Sequence, residues 1–274
     1  MQYDRLIYET HGLPVAYAQI GAGKPVVYLH GALTTLEEGL IGLGPVLSTR
    51  FRLTAFDRPG HGQSGTDSGA GSIWRQAEVI VAAISDLGIE RPVVVGHSFG
   101  GAVAMAMALQ SPDAVSGVVA LAPIAFPEPR PELALFGHRA LPIAGAAVSG
   151  WSRMADAALL PALWHGMFLP QAMPEAFRSD FPFALAGGLS QVRADGQDAL
   201  LVGAGLMRAA TMYDGCQTPV HVLQGDRDLV VNPALHGRPL AALLPQGRFT
   251  WLPGLGHMAH HFAPEVVADA IAAI

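Results

Sequence analysis

The sequence predicts an α/β fold: a mostly parallel eight-stranded sheet flanked by helices, with a helical subdomain inserted late in the chain. Three observations carry that prediction. Short segments rich in Val, Ile, Leu and Tyr alternate with stretches of helical periodicity. A wholly apolar run at Val93 to Val95 is followed by a Gly-rich turn and then a Gly/Ala/Met-rich stretch over 99–110, as for a strand buried on both faces that feeds a helix. The alternation then stops at 123–131, where PIAFPEPRP places four prolines in nine residues, and neither helix nor sheet continues through such a segment.

In chain order, 3–9, 14–20, 25–29 and 52–56 read as strands bounded by turn residues. The first two suit an antiparallel hairpin across His11-Gly12-Leu13, and a helical stretch around 36–47 separates the next two at βαβ spacing. Residues 73–87 carry Ile73, Ala77, Ile80, Val81, Ile84 and Leu87 on one helical stripe. Val118 to Ala122 is the next strand. Residues 132–214 are mostly Ala, Leu, Met, Phe and Trp without β-branched runs, which predicts short helices lying over the core. Alternation resumes with strand 220–223, helix 233–243, strand 248–252 and a closing helix 264–274. The organisation is therefore a core over 1–123, a helical insertion over 124–214 and the rest of the core over 215–274.

The 274 residues are 51% hydrophobic and 14% charged, with a net charge of -6. That composition builds a large core and disfavours nucleic acid or an anionic membrane surface as partner, since both require clustered positive charge. A small neutral molecule is the expected ligand. Cys216 is the only cysteine, so no internal disulfide forms, as suits a reducing compartment. The opening MQYDRLIYET lacks a secretory pattern and no apolar run is long enough to span a bilayer. A cytoplasmic location is the expectation.

The chemistry-bearing residues begin with Gly96-His97-Ser98-Phe99-Gly100, a G-x-S-x-G between the strand at 93–95 and the helix at 99–110. Its glycines allow a turn too tight for side chains two residues to either side of the serine, and the turn lifts the Ser98 hydroxyl clear at the strand's C-terminal end. A serine hydroxyl needs a base. Among the eleven histidines, His257 lies in a loop directly after the last strand, on the sheet edge where Ser98 opens. His260 and His261 form an H-x-x-H-H run with it, but no carboxylate or cysteine at ligand spacing precedes it, so no metal is assigned. Asp226 and Asp228 both follow strand 220–223. G-x-x-D spacing from Gly225 selects Asp228 to orient the imidazole, leaving Asp226 to fix the turn. The backbone amides of Ala32, after His30-Gly31, and of Phe99 are assigned as the oxyanion hole. His30 and His97 are assigned as buried supports, with the side chain of His97 pointing away from the reaction.

With Asp57-Arg58-Pro59-Gly60-His61-Gly62-Gln63-Ser64, these motifs resemble the α/β-hydrolase superfamily in order and separation, nearly end to end, in the branch with a helical cap after the sixth strand. The resemblance implies that the cap sets substrate choice. Two residues depart from it: Phe262 stands where relatives often carry an acidic residue, and Ala32 is small where many place a bulky one. The implied activity is hydrolysis of a small hydrophobic carboxylic ester through an acyl-enzyme, with no cofactor. Trp151, Trp164, Met167, Phe168, Phe177, Phe181 and Phe183 suggest an apolar pocket, or equally the cap's own core, and Leu33, Trp164 and Val230 are the expected substrate contacts. An aspartate-nucleophile dehalogenase or epoxide hydrolase is disfavoured by Ser98. A C–C hydrolase, lactonase, thioesterase, amidase, acyltransferase or cofactor-free perhydrolase uses the same triad, and a slow-turnover ligand sensor is the alternative of another class.

Overall fold

A computed structural model of the chain describes residues 3–129, 135–140 and 144–274, with the backbone alone over 144–154. Eight strands, β1 (Leu6–Thr10), β2 (Leu13–Gly21), β3 (Lys24–Leu29), β4 (Phe51–Phe56), β5 (Val93–His97), β6 (Gly117–Leu121), β7 (Val220–Gly225) and β8 (Gly247–Leu252), form one sheet in the order β1-β2-β4-β3-β5-β6-β7-β8. β2 runs antiparallel to β1 and β4, and every pairing from β4 to β8 is parallel. The β1–β2 hairpin closes with Thr10 opposite Leu13. His11 and Gly12 both have positive φ, the backbone that matches the twist of paired strands.

Alternating side chains of the central strands go to opposite faces. Val27 and Leu29 of β3 join Val94, Val118 and Val222 beneath α3 (Ile73–Asp86), α4 (Phe99–Gln110) and α9 (Gly237–Leu243). Val26 and Tyr28 join Leu53, Val95 and Val119 beneath α1 (Glu37–Gly42), α2 (Gly44–Leu47) and α10 (Pro264–Ala272). The single helix expected around 36–47 is two, because Pro45 in the first turn of α2 has no amide to continue α1. The helix expected from 233 starts at Gly237, since the Asn232 carboxamide and carbonyl hold residues 234–236 in a turn.

Between β6 and β7 stand α5 (Ala144–Phe168), α6 (Glu175–Asp180), α7 (Phe183–Ala186) and α8 (Leu189–Ala210), and the described residues there include no strand, in keeping with the lack of β-branched runs. Its aromatic residues pack on one another: Phe177 stacks on Phe181 with ring centroids 4.4 Å apart, and Phe168 and Trp164 meet Phe177 and Phe183 edge to face. They form a third core with Leu33 and Met258. The Trp151 side chain lies outside the described residues. Among the described residues no helix is long and apolar enough to cross a membrane.

β3 pairs with β4 on one side and β5 on the other, so the loops leaving β3 and β5 part and open a crevice at their C-terminal ends. Leu29 pairs with Gly96 across it. A Cβ at Gly100 would overlap the carbonyl oxygens of Leu29 and His30, and only a glycine lets α4 start this close to the end of β3. Gly100→Ala is therefore expected to lower stability by about 1–3 kcal/mol. Gly203→Ala in α8, where a Cβ meets nothing within 4 Å, should raise it by about 0.5–1 kcal/mol. Urea unfolding of the two variants should shift in opposite directions.

Candidate active site

Ser98 occupies the turn between β5 and α4 with φ 52° and ψ -113°, a backbone that costs a non-glycine residue about 1–3 kcal/mol. The turn is held by the Ser98 amide, which donates to the Leu121 carbonyl, and by the Ser98 carbonyl, which accepts from Gly101. Ser98 and His257 line one cavity of about 340 Å³. No hydrogen bond joins the hydroxyl to the ring in this structure, a looseness common in unliganded sites.

On the other side of the ring, His257 Nδ1 lies 2.9 Å from Asp228 Oδ2. The carboxylate can only accept, so Nδ1 is the donor, and in the neutral ring this tautomer leaves the lone pair on Nε2. Asp228 Oδ1 accepts from the Val230 and Val231 amides at 2.8 and 2.9 Å. Burial by itself would raise the Asp228 carboxyl, but His257 and these two amides outweigh it and hold the group below the usual carboxylate range. Asp226 faces elsewhere, accepting from the Gly254 amide, so instead of fixing its own turn by local bonds it ties that turn to the loop after β8. A Cβ at Gly225 would overlap the carbonyl oxygens of Leu255 and Gly256. The bare glycine thus lets the loop after β8 cross the end of β7 and bring His257 to Asp228.

The loop after β3 distinguishes its three consecutive amides. The Gly31 amide donates to Glu38 Oε2 at 3.0 Å and the Leu33 amide to Asp195 Oδ1 at 3.0 Å. The Ala32 amide between them donates to no group among the described residues. Nor does that of Phe99, which has no helical acceptor at the first position of α4. Ala32 and Phe99 both line the cavity beside Ser98.

Leu33 and Val230 also line this cavity, but Trp164 does not. The Trp164 indole is turned into the insertion's core against Phe183, and its N–H is spent on the Leu33 carbonyl at 2.9 Å. Met167, Leu163 and Phe136 supply apolar wall in its place. His97 departs from expectation as well. Its ring does not point away but packs 4.6 Å from that of His257 and forms part of the cavity wall.

The sequence gives no role to three buried polar residues of this region, although one of them, Arg58, stands in a motif named above. Glu38 is fully buried, with the Tyr28 hydroxyl and His97 Nδ1 each 2.5 Å from Oε1, and the Thr34 hydroxyl against Oε2. Burial alone would raise its carboxyl, but His97 and His260 hold it well below the ordinary range. Glu38, His97 and His260 could in principle gather round an ion. However, 2.5 Å between two of their atoms is a hydrogen-bond length, against roughly 3.3 Å between ligands sharing a tetrahedral zinc. The second residue is Arg58, whose guanidinium donates to the carbonyls of His30 and Gly31 and to Asp198. Asp195, the third, is on α8, and no local signal marks it because its partner Leu33 is 162 residues away.

His30 is a support, as expected: Nε2 accepts from the Arg58 amide, leaving Nδ1 to donate to the Gly31 carbonyl at 2.8 Å. Desolvation and then Arg58 push His30 well below the ordinary histidine value, and desolvation pushes His260 down to about 4. Both rings are thus neutral in the fold at pH 5, whereas the unfolded chain protonates them near pH 6.5. The unfolded state binds more protons in that window, so stability falls as pH falls. Urea unfolding free energies at pH 7 and pH 5 should differ by up to about 2 kcal/mol for each of these two rings, with the protein weaker at pH 5. Equal or greater stability at pH 5 would contradict this.

Comparison with known proteins agrees with the architecture. Residues 24–264 match the alpha/beta hydrolase fold family. The chain is 34% identical over 119 residues to the dihydrolipoyllysine-residue acetyltransferase component of the acetoin cleaving system of Cupriavidus necator, a match covering 43% of this chain and only 32% of that one. It is 29% identical to an uncharacterized protein of Mycobacterium tuberculosis over 96% of this chain and 78% of the other. Among solved structures, an alpha/beta hydrolase fold protein from Burkholderia ambifaria superposes with a TM-score of 0.82 at 24% identity, covering both chains fully. A thermophilic esterase from Thermogutta terrifontis superposes at 0.71 and 21% identity, over 100% of this chain and 97% of that one. At these identities the two structures attest the fold alone. With the family match spanning most of its length and the sheet order described above, the chain belongs to the α/β-hydrolase fold family.

Proposed function

We propose that the protein is a serine hydrolase that cleaves a small, hydrophobic carboxylic ester through an acyl-enzyme, with Ser98, His257 and Asp228 as its triad. The observation that carries this reading is the Asp228–His257 hydrogen bond, which selects the tautomer of the neutral ring with Nε2 as acceptor, in a cavity shared with Ser98. In the reaction, Ser98 Oγ attacks the acyl carbon as His257 Nε2 takes its proton. The imidazolium then passes that proton to the leaving alcohol, and a water activated by the same nitrogen releases the acid. The Ala32 and Phe99 amides receive the developing oxyanion, each such donor lowering the barrier by about 3 kcal/mol.

Substrate class follows from the walls. Phe136, Leu163, Met167 and Val230 give the cavity a mostly apolar lining suited to an uncharged acyl or alcohol group, and its volume of about 340 Å³ suits a small molecule. Ester hydrolysis by such a triad requires no cofactor.

Wild type should turn over short p-nitrophenyl esters many times, and a fluorophosphonate should label Ser98. Ser98→Ala should keep the fold by circular dichroism and lose turnover by about 10⁴-fold or more. A panel of esters, lactones, thioesters and vinylogous diketones should rank esters first. Preferential cleavage of a diketone would reassign the enzyme to C–C hydrolysis. A single turnover with no release of acid would reassign it to ligand sensing.

A further inference from the structure

Leu33 is gripped from the insertion through the peptides on both of its sides. Its amide donates to Asp195 Oδ1 of α8 at 3.0 Å, and its carbonyl accepts from Trp164 Nε1 of α5 at 2.9 Å. Leu33 holds φ at +59°, a conformation that a leucine adopts only where its surroundings impose it. The peptide on the other side of Ala32 is fixed by the core: the Gly31 carbonyl accepts from His30 Nδ1 at 2.8 Å and from Arg58 Nη2 at 3.1 Å. Since C=O and N–H of a trans peptide point in opposite directions, donors on the Gly31 oxygen aim the Ala32 N–H the other way, towards the cavity. Arg58 also lies over the Phe99 ring, with its guanidinium carbon 4.5 Å from the centroid, and is paired with Asp198, one turn beyond Asp195. One face of α8 therefore reaches both peptides that determine where Ala32 points.

Stability does not explain Asp195: it is buried at the edge of the cavity and its Oδ2 has no hydrogen-bond partner among the described residues, a costly arrangement for a residue whose task is only to hold the insertion down.

Resting on the reading that Ser98 is the nucleophile, we propose that Asp195 is a positioning residue: through the Leu33 amide it sets the Ala32 N–H in the oxyanion hole, so that the hole is complete only when the helical insertion is docked. Ala32 itself touches the reacting oxygen; Asp195 acts through the peptide beside it.

The test compares wild type with Asp195→Ala and with Asp195→Asn, which keeps an oxygen for the Leu33 amide. It reads kcat and KM on p-nitrophenyl butyrate. It also reads the affinities of a trifluoromethyl ketone, which forms the tetrahedral adduct, and of the matching methyl ketone, which only fills the cavity. Asp195→Ala should lower kcat about 10- to 100-fold and weaken the trifluoromethyl ketone by the same factor. KM and methyl ketone affinity should stay within about 3-fold, and Asp195→Asn should stay within about 3-fold of wild type throughout. Should Asp195→Ala not fold, Asp195→Leu, of similar shape to the native side chain, takes its place with the same expectation. The proposal is overturned if the variant keeps wild-type kcat, if its loss lies in KM and is shared by the methyl ketone, or if Asp195→Asn falls as far as Asp195→Ala. Wild type that neither turns over ester nor is labelled at Ser98 fails the nucleophile reading itself, and this inference with it; wild type that does both leaves the decision to the variants.

Discussion

The contact on which this molecule depends is the approach of the first turn of α4 to the end of β3, with Gly100 against the Leu29 and His30 carbonyls. It fixes Ser98 in a backbone conformation that serine avoids and places the Phe99 amide beside the loop that carries Ala32. Two polar backbone segments that would otherwise be separate thereby become neighbours on opposite walls of one crevice. The crevice exists because β3 is flanked by β4 on one side and β5 on the other, and the chains leaving β3 and β5 must part. The loops after β7 and β8 open on the same edge, which brings Asp228 and His257 to the crevice, and Gln171 of the insertion holds the second loop by donating to the Gly254 carbonyl and accepting from the Gly256 amide.

Around this frame lies an unusual amount of buried charge. Glu38, Arg58, Asp195 and Asp198 are each almost fully out of solvent. Ion pairs of this kind add little net stability, since desolvation offsets their attraction, yet removing one partner costs about 3–5 kcal/mol. Their consequence here is geometric. Glu38 occupies the Gly31 amide, Asp195 occupies the Leu33 amide, and Arg58 holds the Gly31 carbonyl. What remains unoccupied in this run is the Ala32 amide, so the polar network leaves one donor free by satisfying its neighbours.

The helical insertion has a double character for the same reason. Most of its aromatic side chains bury one another and fill no binding site: Phe168, Phe177, Phe181 and Trp164 form its core. The cavity wall comes from the less conspicuous Leu163, Met167 and Phe136. The indole N–H of Trp164, seated in that core, reaches back to the Leu33 carbonyl, so the packing of the insertion and the geometry of the crevice are linked through a single peptide.

The sequence alone determined what depends on local pattern. The eight strands, the β1–β2 hairpin, the helices between β6 and β7 and the placement of Ser98, Asp228 and His257 at one sheet edge were legible because periodicity, glycine placement and spacing after each strand are one-dimensional signals. The choice of Asp228 over Asp226 was legible in the same way, from its distance to Gly225. Tertiary structure alone decided which amides are free, that Trp164 faces the insertion's core, that the His97 ring packs on that of His257, and that Asp195 meets Leu33 across 162 residues. A side chain's direction and its long-range partner are set by which elements pack together, and a single sequence records the elements without recording how they meet.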